Sequence, residues 1–144
     1  MVKLRDLGRA IKCVQHRHHC TLDHRLAPLG ITLVQWDALR HVSENPGASS
    51  HDLARLTFQT DQAFGTLSSR LLERGWIERR AGSGRAIRHH LTRSGKKLLA
   101  RGSAVVERAL EESFAPLTPR ERNALYAMLS RVIESSVVAR RARS

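Results

Sequence analysis

Two helix start signals that lie close together in the middle of the chain constrain its fold most. Ser49, with Asp52 three residues later, forms the expected N-cap pair of a short helix over "SHDLARL". Thr60 is the expected N-cap of the next helix, "TDQAFGTLSSRLLERG", and Gly75 is its expected C-terminal stop. Because only "TFQ" joins the two, the segment predicts a helix-turn-helix.

The residues that follow predict a two-stranded hairpin. The stretches "WIERR" and "RAIRHHL" are typical of short strands, and "AGSG" between them is typical of a turn. A hairpin directly after a helix-turn-helix has the position of a wing.

Helices are predicted on both sides of this middle section. Apolar positions recur at helical spacing from Leu4 to Leu26, and Pro28 and Gly30 end that helix. A second helix is expected from about residue 32 to residue 43.

Two more helices are predicted after the hairpin. One begins at Ser94 and is ended by Pro116, with apolar residues along one side. The stretch "TPRE", residues 118 to 121, is a start signal for the last helix, since it has a hydroxyl cap, a proline in the first turn and a glutamate at the third position.

These elements predict a mainly α fold, a winged helix-turn-helix with a short β-hairpin wing and terminal dimerisation helices. All 144 residues are expected in a single domain, with the winged lobe at about residues 32–93 and the dimerisation helices at about 1–28 and 94–140. The terminal helices are too long and too apolar for the small lobe to cover, which implies a partner chain, most simply an identical one.

The charge of the chain favours a polyanionic partner. Lys and Arg number 25 against 13 Asp and Glu, so the formal net charge is +12. Nucleic acid is the first candidate and an anionic membrane surface the second, while a merely soluble basic protein is the alternative. No apolar run is long enough to span a membrane and the N-terminus has no signal-like segment, so no membrane partner is expected and the cytoplasm is the expected compartment.

The second helix of the helix-turn-helix has two chemically different sides. At about 100° per residue, Phe64, Leu67 and Leu71 share the side that should pack on the lobe. The opposite side has Gln62 and Thr66, and it also contains Ser69 and Glu73. Gln62 suits a bidentate contact to adenine, Thr66 a contact to a base or a thymine methyl, and nearby Gly65 a close backbone approach. The alternative is an ordinary solvated face.

Basic residues are concentrated just beyond this helix, nine of them between residues 70 and 97. They would neutralise phosphates without choosing a sequence. "GSGRA" is interpreted as a flexible wing tip that delivers Arg85 to a narrow minor groove, with a solvated turn residue as the alternative. The residues predicted to contact double-stranded DNA are Ser49, Thr60, Asp61, Gln62, Gly65, Thr66, Ser69, Arg70, Arg80, Ser83, Arg85 and Arg88.

Three stretches make the chain resemble the MarR family of winged helix-turn-helix regulators, over nearly its whole length. "LDHRLAPLGITLVQWDAL" at residues 22–39 is similar to the SlyA-like branch, while "SRLLERGWIERR" and "RAIRHHLTRSGKKLL" are similar to the recognition helix, wing and long-helix start. The chain departs from the family pattern at the wing, which is a little shorter than usual and has Ser83 in place of an acid. It also has Ala63 and Gly65 where hydroxyl residues are frequent.

The resemblance implies a DNA-binding regulator that acts as a homodimer on an inverted repeat. It also implies control by a small aromatic acid or phenol, bound between the DNA-binding lobe and the dimerisation helices. Arg17, Thr32, Trp36 and Arg40 are the candidate ligand residues, because arginine pairs with a carboxylate and tryptophan stacks on a ring. Core packing is the alternative for Trp36.

The first helix has a stripe of cysteines and histidines at Cys13, His16, Cys20 and His24. A metal- or oxidant-sensing regulator would use it, and so would a small metalloenzyme. One helix rarely closes a four-ligand site, and Cys13 and Cys20 are about 10 Å apart along it, beyond disulfide reach. A structural or incidental face is therefore the favoured interpretation, and His18 is expected to be a core histidine. Neither enzymatic activity, nor a metal, nor a cofactor is expected.

Overall fold

The computed structural model describes residues 1–82, 84 and 86–141, with side chains described as far as residue 135. The chain forms two compact units, Met1–Ala109 and Leu110–Ser144. In chain order the elements are α1 (Leu4–Leu26), a single 3-10 turn (Ala27–Leu29), α2 (Leu33–Glu44), α3 (Ser50–Leu56), α4 (Asp61–Glu73), β1 (Ile77–Ala81), β2 (Ile87–Leu91), α5 (Arg93–Ser113) and α6 (Pro119–Arg141). Within the described part of the chain, no helix has the length and apolarity needed to cross a bilayer.

The junction between α1 and α2 is held by local hydrogen bonds. Gly30 has a left-handed φ of 74° where the 3-10 turn ends, which glycine adopts without strain. Thr32 and Gln35 then form a capping box, in which the Thr32 hydroxyl accepts the Gln35 N–H and the Gln35 side chain accepts the Thr32 N–H. The Asp23 carboxylate accepts the Leu33 N–H at 2.9 Å, so α1 also anchors the start of α2.

The helix-turn-helix has the two caps that the sequence predicts. The Ser49 hydroxyl accepts the Asp52 N–H at the start of α3, and the Thr60 hydroxyl accepts the Ala63 N–H at the start of α4. Gly75, with φ 72°, follows the end of α4. Phe64 and Leu71 are fully buried, as is Leu53 of α3, so the two helices pack through their apolar sides.

The predicted wing is an antiparallel hairpin of β1 and β2. Ile77 pairs with Leu91 at its base and Ala81 with Ile87 at its tip. Its base is part of the core, because Ile77 and His89 are buried while the outer residues of β1 are exposed.

Helix α5 packs on the lobe through glycines. It begins at Arg93, one residue before the predicted start, and ends at Ser113, before Pro116. Gly95 and Gly102 are buried on its inner side with Leu98, Val106 and Ala109. A β-carbon on Gly95 would lie 1.9 Å from the Trp76 carbonyl oxygen, and one on Gly102 would lie 2.7 Å from the Trp36 ring, so both positions require glycine for close approach.

The second unit contains the end of α5 and α6. The start of α6 is the predicted one, since the Glu121 carboxylate accepts both the N–H and the hydroxyl of Thr118. These two hydrogen bonds lower the pKa of Glu121. The Arg122 guanidinium donates to the carbonyls of Phe114 and Leu117, which joins α6 to the segment before it.

Candidate nucleic-acid interface

Helix α4 presents the two sides that its sequence predicts. Phe64, Leu67 and Leu71 are buried, whereas Gln62, Thr66, Ser69 and Glu73 are all exposed. The outward side is thus short and polar, with one charged residue at its C-terminal end. Such a surface can enter the major groove without a large desolvation cost.

Thr66 and Gly65 lie next to Gln62 on this helix, and each leaves room for a base in a different way. The Thr66 side chain is exposed, and its hydroxyl donates to the Gln62 carbonyl at 3.2 Å, so its oxygen can still accept a hydrogen bond. Gly65 is half-buried, and a β-carbon added there would meet nothing within 4 Å. The helix backbone is therefore accessible next to Gln62 and Thr66.

The start of α4 is tied to α3 by an exposed pair. His51 Nδ1 lies 2.9 Å from an Asp61 carboxylate oxygen. Asp61, which the sequence analysis assigned to DNA contact, therefore already has a partner in the protein. Sequence reasoning missed His51, because ten residues separate the two and no local pattern links them.

Two arginines of the hairpin donate hydrogen bonds to the helix-turn-helix, and a third forms an exposed ion pair. Arg79 donates to the Ser68 hydroxyl at 2.8 Å and to the Ser69 hydroxyl at 3.4 Å, so it joins β1 to α4. Arg88 donates to the Gly47 carbonyl at 2.9 Å, just before α3. Arg80 pairs with Glu78 and is exposed.

Further predicted contacts complete the surface. Arg70 is exposed on α4, and Ser49 and Thr60 both use their hydroxyl oxygens as helix caps. The predicted contacts Ser83 and Arg85 lie outside the described residues.

A buried histidine lies where the hairpin meets the helix-turn-helix. His89 Nδ1 is 3.0 Å from the Ala48 carbonyl oxygen, and its ring lies edge-on to Phe64 at 6.4 Å between centroids. Its Nε2 is buried without a hydrogen-bond partner among the described residues. Burial lowers the pKa of His89, the hydrogen bond to Ala48 opposes this, and the positive charge of Arg79 and the proximity of His90 lower it further. His89 therefore links β2 to the segment before α3 and packs against Phe64 of α4.

The predicted ligand residues of α2 are already engaged with the protein. The Trp36 Nε1–H donates to the Ser103 hydroxyl at 3.3 Å, and the Arg40 guanidinium lies 5.7 Å from the Trp36 ring centroid. Arg40 also pairs with Asp37 and Glu44, which raise its pKa although burial opposes this. Thr32 is the helix cap described above. Arg17 is exposed on α1, and no described contact joins it to these three residues.

A cleft of about 650 Å³ lies beside the start of α5. Leu29, Trp76 and Leu98 form its apolar part, and Lys97 and Arg101 are exposed cations on its rim. Sequence reasoning missed it, because its residues come from three separate segments. This chemistry suits a small apolar anion.

The cysteine and histidine stripe of α1 lies on an exposed face. Cys13 and Cys20 are free thiols, and Cys20 Sγ is 3.6 Å from His16 Nε2. Across the described residues, no group of three or more metal-binding side chains comes together. His18 is half-buried, and the expectation of a core histidine was therefore wrong. The reason is that α1 projects beyond the lobe, so only its last turns, with Leu22 and Leu26, reach the core.

Comparison with known proteins gives consistent matches. The MarR family model matches residues 29–86. The HTH-type transcriptional repressor Rv2887 of Mycobacterium tuberculosis is 38% identical over 109 residues, which is 74% of this chain and 78% of that protein.

Solved structures of the M. tuberculosis protein Rv2887 are also similar. Its complex with DNA has a TM-score of 0.74 at 30% identity and covers 92% of this chain and 98% of that one. Its complex with salicylic acid has a TM-score of 0.74 at 33% identity and covers 92% and 97%.

Proposed function

Because the chain belongs to the MarR family, we propose that it is a transcriptional regulator, in the first instance a repressor, that binds double-stranded DNA as a homodimer on an inverted repeat. The observation that carries this proposal is the outward side of α4, where Gln62, Gly65 and Thr66 are presented together. The similarity of the stretch at residues 22–39 to the SlyA-like branch is part of the same proposal.

Gln62 and Thr66 supply the proposed base reading. A glutamine amide can donate to and accept from adenine at once through two separate atoms, and a cation, which has no acceptor, cannot make this bidentate contact. With its hydroxyl hydrogen directed to the Gln62 carbonyl, Thr66 keeps its methyl group for a thymine. Gly65 allows the helix backbone to approach the base edges.

The basic residues supply affinity rather than sequence choice. The formal net charge of +12 raises the rate of encounter with DNA, and Arg70 and Arg80 are exposed next to the reading side. Ser49, Thr60 and Asp61 stay proposed contacts at the helix starts, and Ser69 and Arg88 on the flank. Arg85 and Ser83 stay proposed contacts of the wing tip.

Homodimerisation is supported by apolar side chains that a single chain leaves exposed. Leu4, Ile11 and Val14 are exposed on α1, and Met128 and Val132 on α6. A dimer would cover such surface and would place two recognition helices about one helical turn of DNA apart. Light scattering at micromolar concentration should then give twice the chain mass of 16.2 kDa, and a folded monomer would contradict this part of the proposal.

A small aromatic acid is the proposed effector. The salicylic acid complex of Rv2887 supports this ligand class, and the cleft beside α5 supports the place, since Lys97 and Arg101 would meet the carboxylate and the apolar lining at Leu29 would meet the ring. The Trp36 side of α2 is the second place, although its residues would have to leave existing partners first. A ligand between the lobe and α5 would bias the lobe's orientation and so DNA affinity.

A metal- or oxidant-sensing regulator of the same fold is the less favoured alternative. Its one supporting observation is the contact between Cys20 and His16. A catalytic role is not proposed, because the relative Rv2887 is named a transcriptional repressor.

Gln62→Ala tests the proposed reading side. On a duplex selected from a random pool, the substitution should cost about 1–3 kcal/mol per base contact and relax sequence preference. Binding to a scrambled duplex should barely change. Gln15→Ala removes the same exposed side chain from α1 and is the matched control.

The outcome is measured by titrating both duplexes at several salt concentrations. If Gln62→Ala weakened both duplexes equally, the outward side of α4 would not be reading bases. Arg85→Ala should instead weaken both and reduce the salt dependence by about one unit in log–log slope for each phosphate that the arginine no longer neutralises.

A further inference from the structure

The turn between α3 and α4 closes around an unusual residue. The Phe58 N–H donates to the Arg55 carbonyl at 3.3 Å, and the Gln59 N–H donates to the Ala54 carbonyl at 2.8 Å. This pair of bonds is the Schellman arrangement that ends many helices, and it requires a left-handed backbone at the residue after the cap. Phe58 takes that conformation, with φ 56°.

Phe58 breaks the pattern that the rest of the described chain follows. The other left-handed positions among the described residues are glycines, at positions 30, 47, 75 and 84. Glycine is strongly preferred at this position because a β-carbon crowds the backbone there.

The side chain of Phe58 is as unusual as its backbone. It is 98% exposed, so the free protein gains no packing from the ring. One residue thus combines backbone strain with a fully hydrated aromatic ring, and such combinations occur where a function retains them.

The position of Phe58 is continuous with the proposed DNA surface. It lies two residues before Thr60, whose hydroxyl caps α4, and Asp61 and Gln62 follow in the first turn of that helix. When the first turn of a recognition helix enters the major groove, the residues just before its cap are carried close to the DNA as well.

We propose that Phe58 is a DNA-contact residue whose ring packs on the apolar surface of the duplex beside the groove that α4 enters. The partner would be a thymine methyl group or the C–H edge of a deoxyribose, both of which accept an aromatic face. The inference rests on the proposed DNA-binding function and adds to it an anchor without charge. Since no counterion is released by such a contact, it contributes affinity that does not depend on salt.

The small area of the exposed Phe58 ring favours DNA over another protein as its partner. A stable protein interface covers about 800 Å² on each side, whereas a phenylalanine side chain offers about 150–250 Å². Leu56 is the one neighbouring apolar side chain that is also exposed in this turn. A single ring fits a supplementary contact at the edge of an existing interface, which is what the surface next to α4 provides.

Three substitutions separate the ring from the backbone. Phe58→Gly and Phe58→Asn both suit a left-handed backbone and remove the ring, whereas Phe58→Tyr keeps the ring. Phe58→Gly should raise the melting temperature by about 2–4 °C and weaken binding to the selected duplex about tenfold. The slope of affinity against salt should be unchanged, Phe58→Asn should weaken binding similarly, and Phe58→Tyr should bind like the wild type.

Deoxyuridine in place of each thymine of the duplex distinguishes the two apolar partners. If the partner is a methyl group, one replacement per half-site weakens wild-type binding and has no effect on Phe58→Gly. If Phe58→Gly is weakened but no replacement matters, the partner is a sugar.

Several results would overturn the inference. Wild-type affinity in Phe58→Gly would do so, and so would an equal loss of affinity in Phe58→Tyr or a reduced salt slope. If Phe58→Gly bound DNA normally but no longer self-associated in sedimentation, the ring would belong to a protein interface instead. Failure of the wild-type protein to select any duplex would overturn the proposed function itself, which this experiment detects separately.

Discussion

Gly95→Ala should destabilise the protein strongly, although alanine is the better helix former. Gly95 lies in the first turn of α5, and its added β-carbon would be 1.9 Å from the Trp76 carbonyl oxygen and 2.9 Å from the carbonyl carbon. Both are backbone atoms, so no side-chain rotation can relieve the overlap. Ordinary contact begins near 3.4 Å, and α5 would therefore have to move by about 1.5 Å.

The magnitude follows from the interactions that this movement would disturb. Overpacking of a core position costs about 1–3 kcal/mol. The Thr92 N–H to Trp76 and Thr92 hydroxyl to Gly75 bonds lie at the same junction, and each contributes about 0.5–1.5 kcal/mol. The higher helix propensity of alanine offsets about 1 kcal/mol of this cost. The expected net destabilisation is about 3 kcal/mol, or about 6–12 °C in Tm.

Urea unfolding at one fixed protein concentration measures this destabilisation. Gly8→Ala is the matched control, because a β-carbon at the exposed Gly8 meets nothing within 4 Å, so it should gain up to about 1 kcal/mol from helix propensity. If Gly95→Ala were as stable as the wild type, the reasoning would be refuted, since α5 would then not pack on the Trp76 backbone. A displaced Trp76 would also move β1, so DNA affinity should fall in parallel with stability.

Three further predictions concern other parts of the lobe and α1. His89 has a folded pKa below its ordinary value of 6.5, so its contribution to stability is complete above pH 6.5. This contribution is lost as the pH falls below that value, by at most about 1.4 kcal/mol per pH unit. Unfolding at pH 7.5 and 5.5 should therefore show a smaller acid destabilisation in His89→Phe than in the wild type. Gly65→Ala should gain up to about 1 kcal/mol in the same assay yet bind the selected duplex more weakly, and unchanged affinity would mean that no base edge approaches there. Replacing Cys13 and Cys20 by Ser should leave DNA affinity unchanged, whereas stoichiometric metal in the purified wild-type protein would favour the sensing alternative.

Features that depend on a few neighbouring residues were predictable from the sequence. The caps at Ser49, Thr60 and Thr118 were predicted at the residues where the structure has them. The buried and exposed sides of α4 were also predicted, because helical periodicity places residues on faces without reference to the rest of the chain. The wing followed in the same way from a short turn between two strand-like stretches.

Features that depend on distant residues were decided by tertiary packing. The pairing of His51 with Asp61, the burial of His89 against Phe64 and the bond from Trp36 to Ser103 join residues that no local pattern relates. Each joins two segments of the chain through a side-chain contact. For Trp36 this supports the packing alternative, since its ring lies against α5 at Gly102.

The sequence by itself determined the order of the helices and strands, their ends to within about three residues, and which side of α4 meets the solvent, because caps, turns and periodicity act within a few residues. Only the tertiary structure decided which polar side chains are still available for a ligand or for DNA. Arg40 and Asp61 have protein partners, whereas Lys97 and Arg101 lie on the rim of an open cleft. It also decided that Phe58 takes a left-handed backbone with its ring in water. The physical reason is that hydrogen bonds and burial between segments depend on how the helices pack, which a local pattern does not specify.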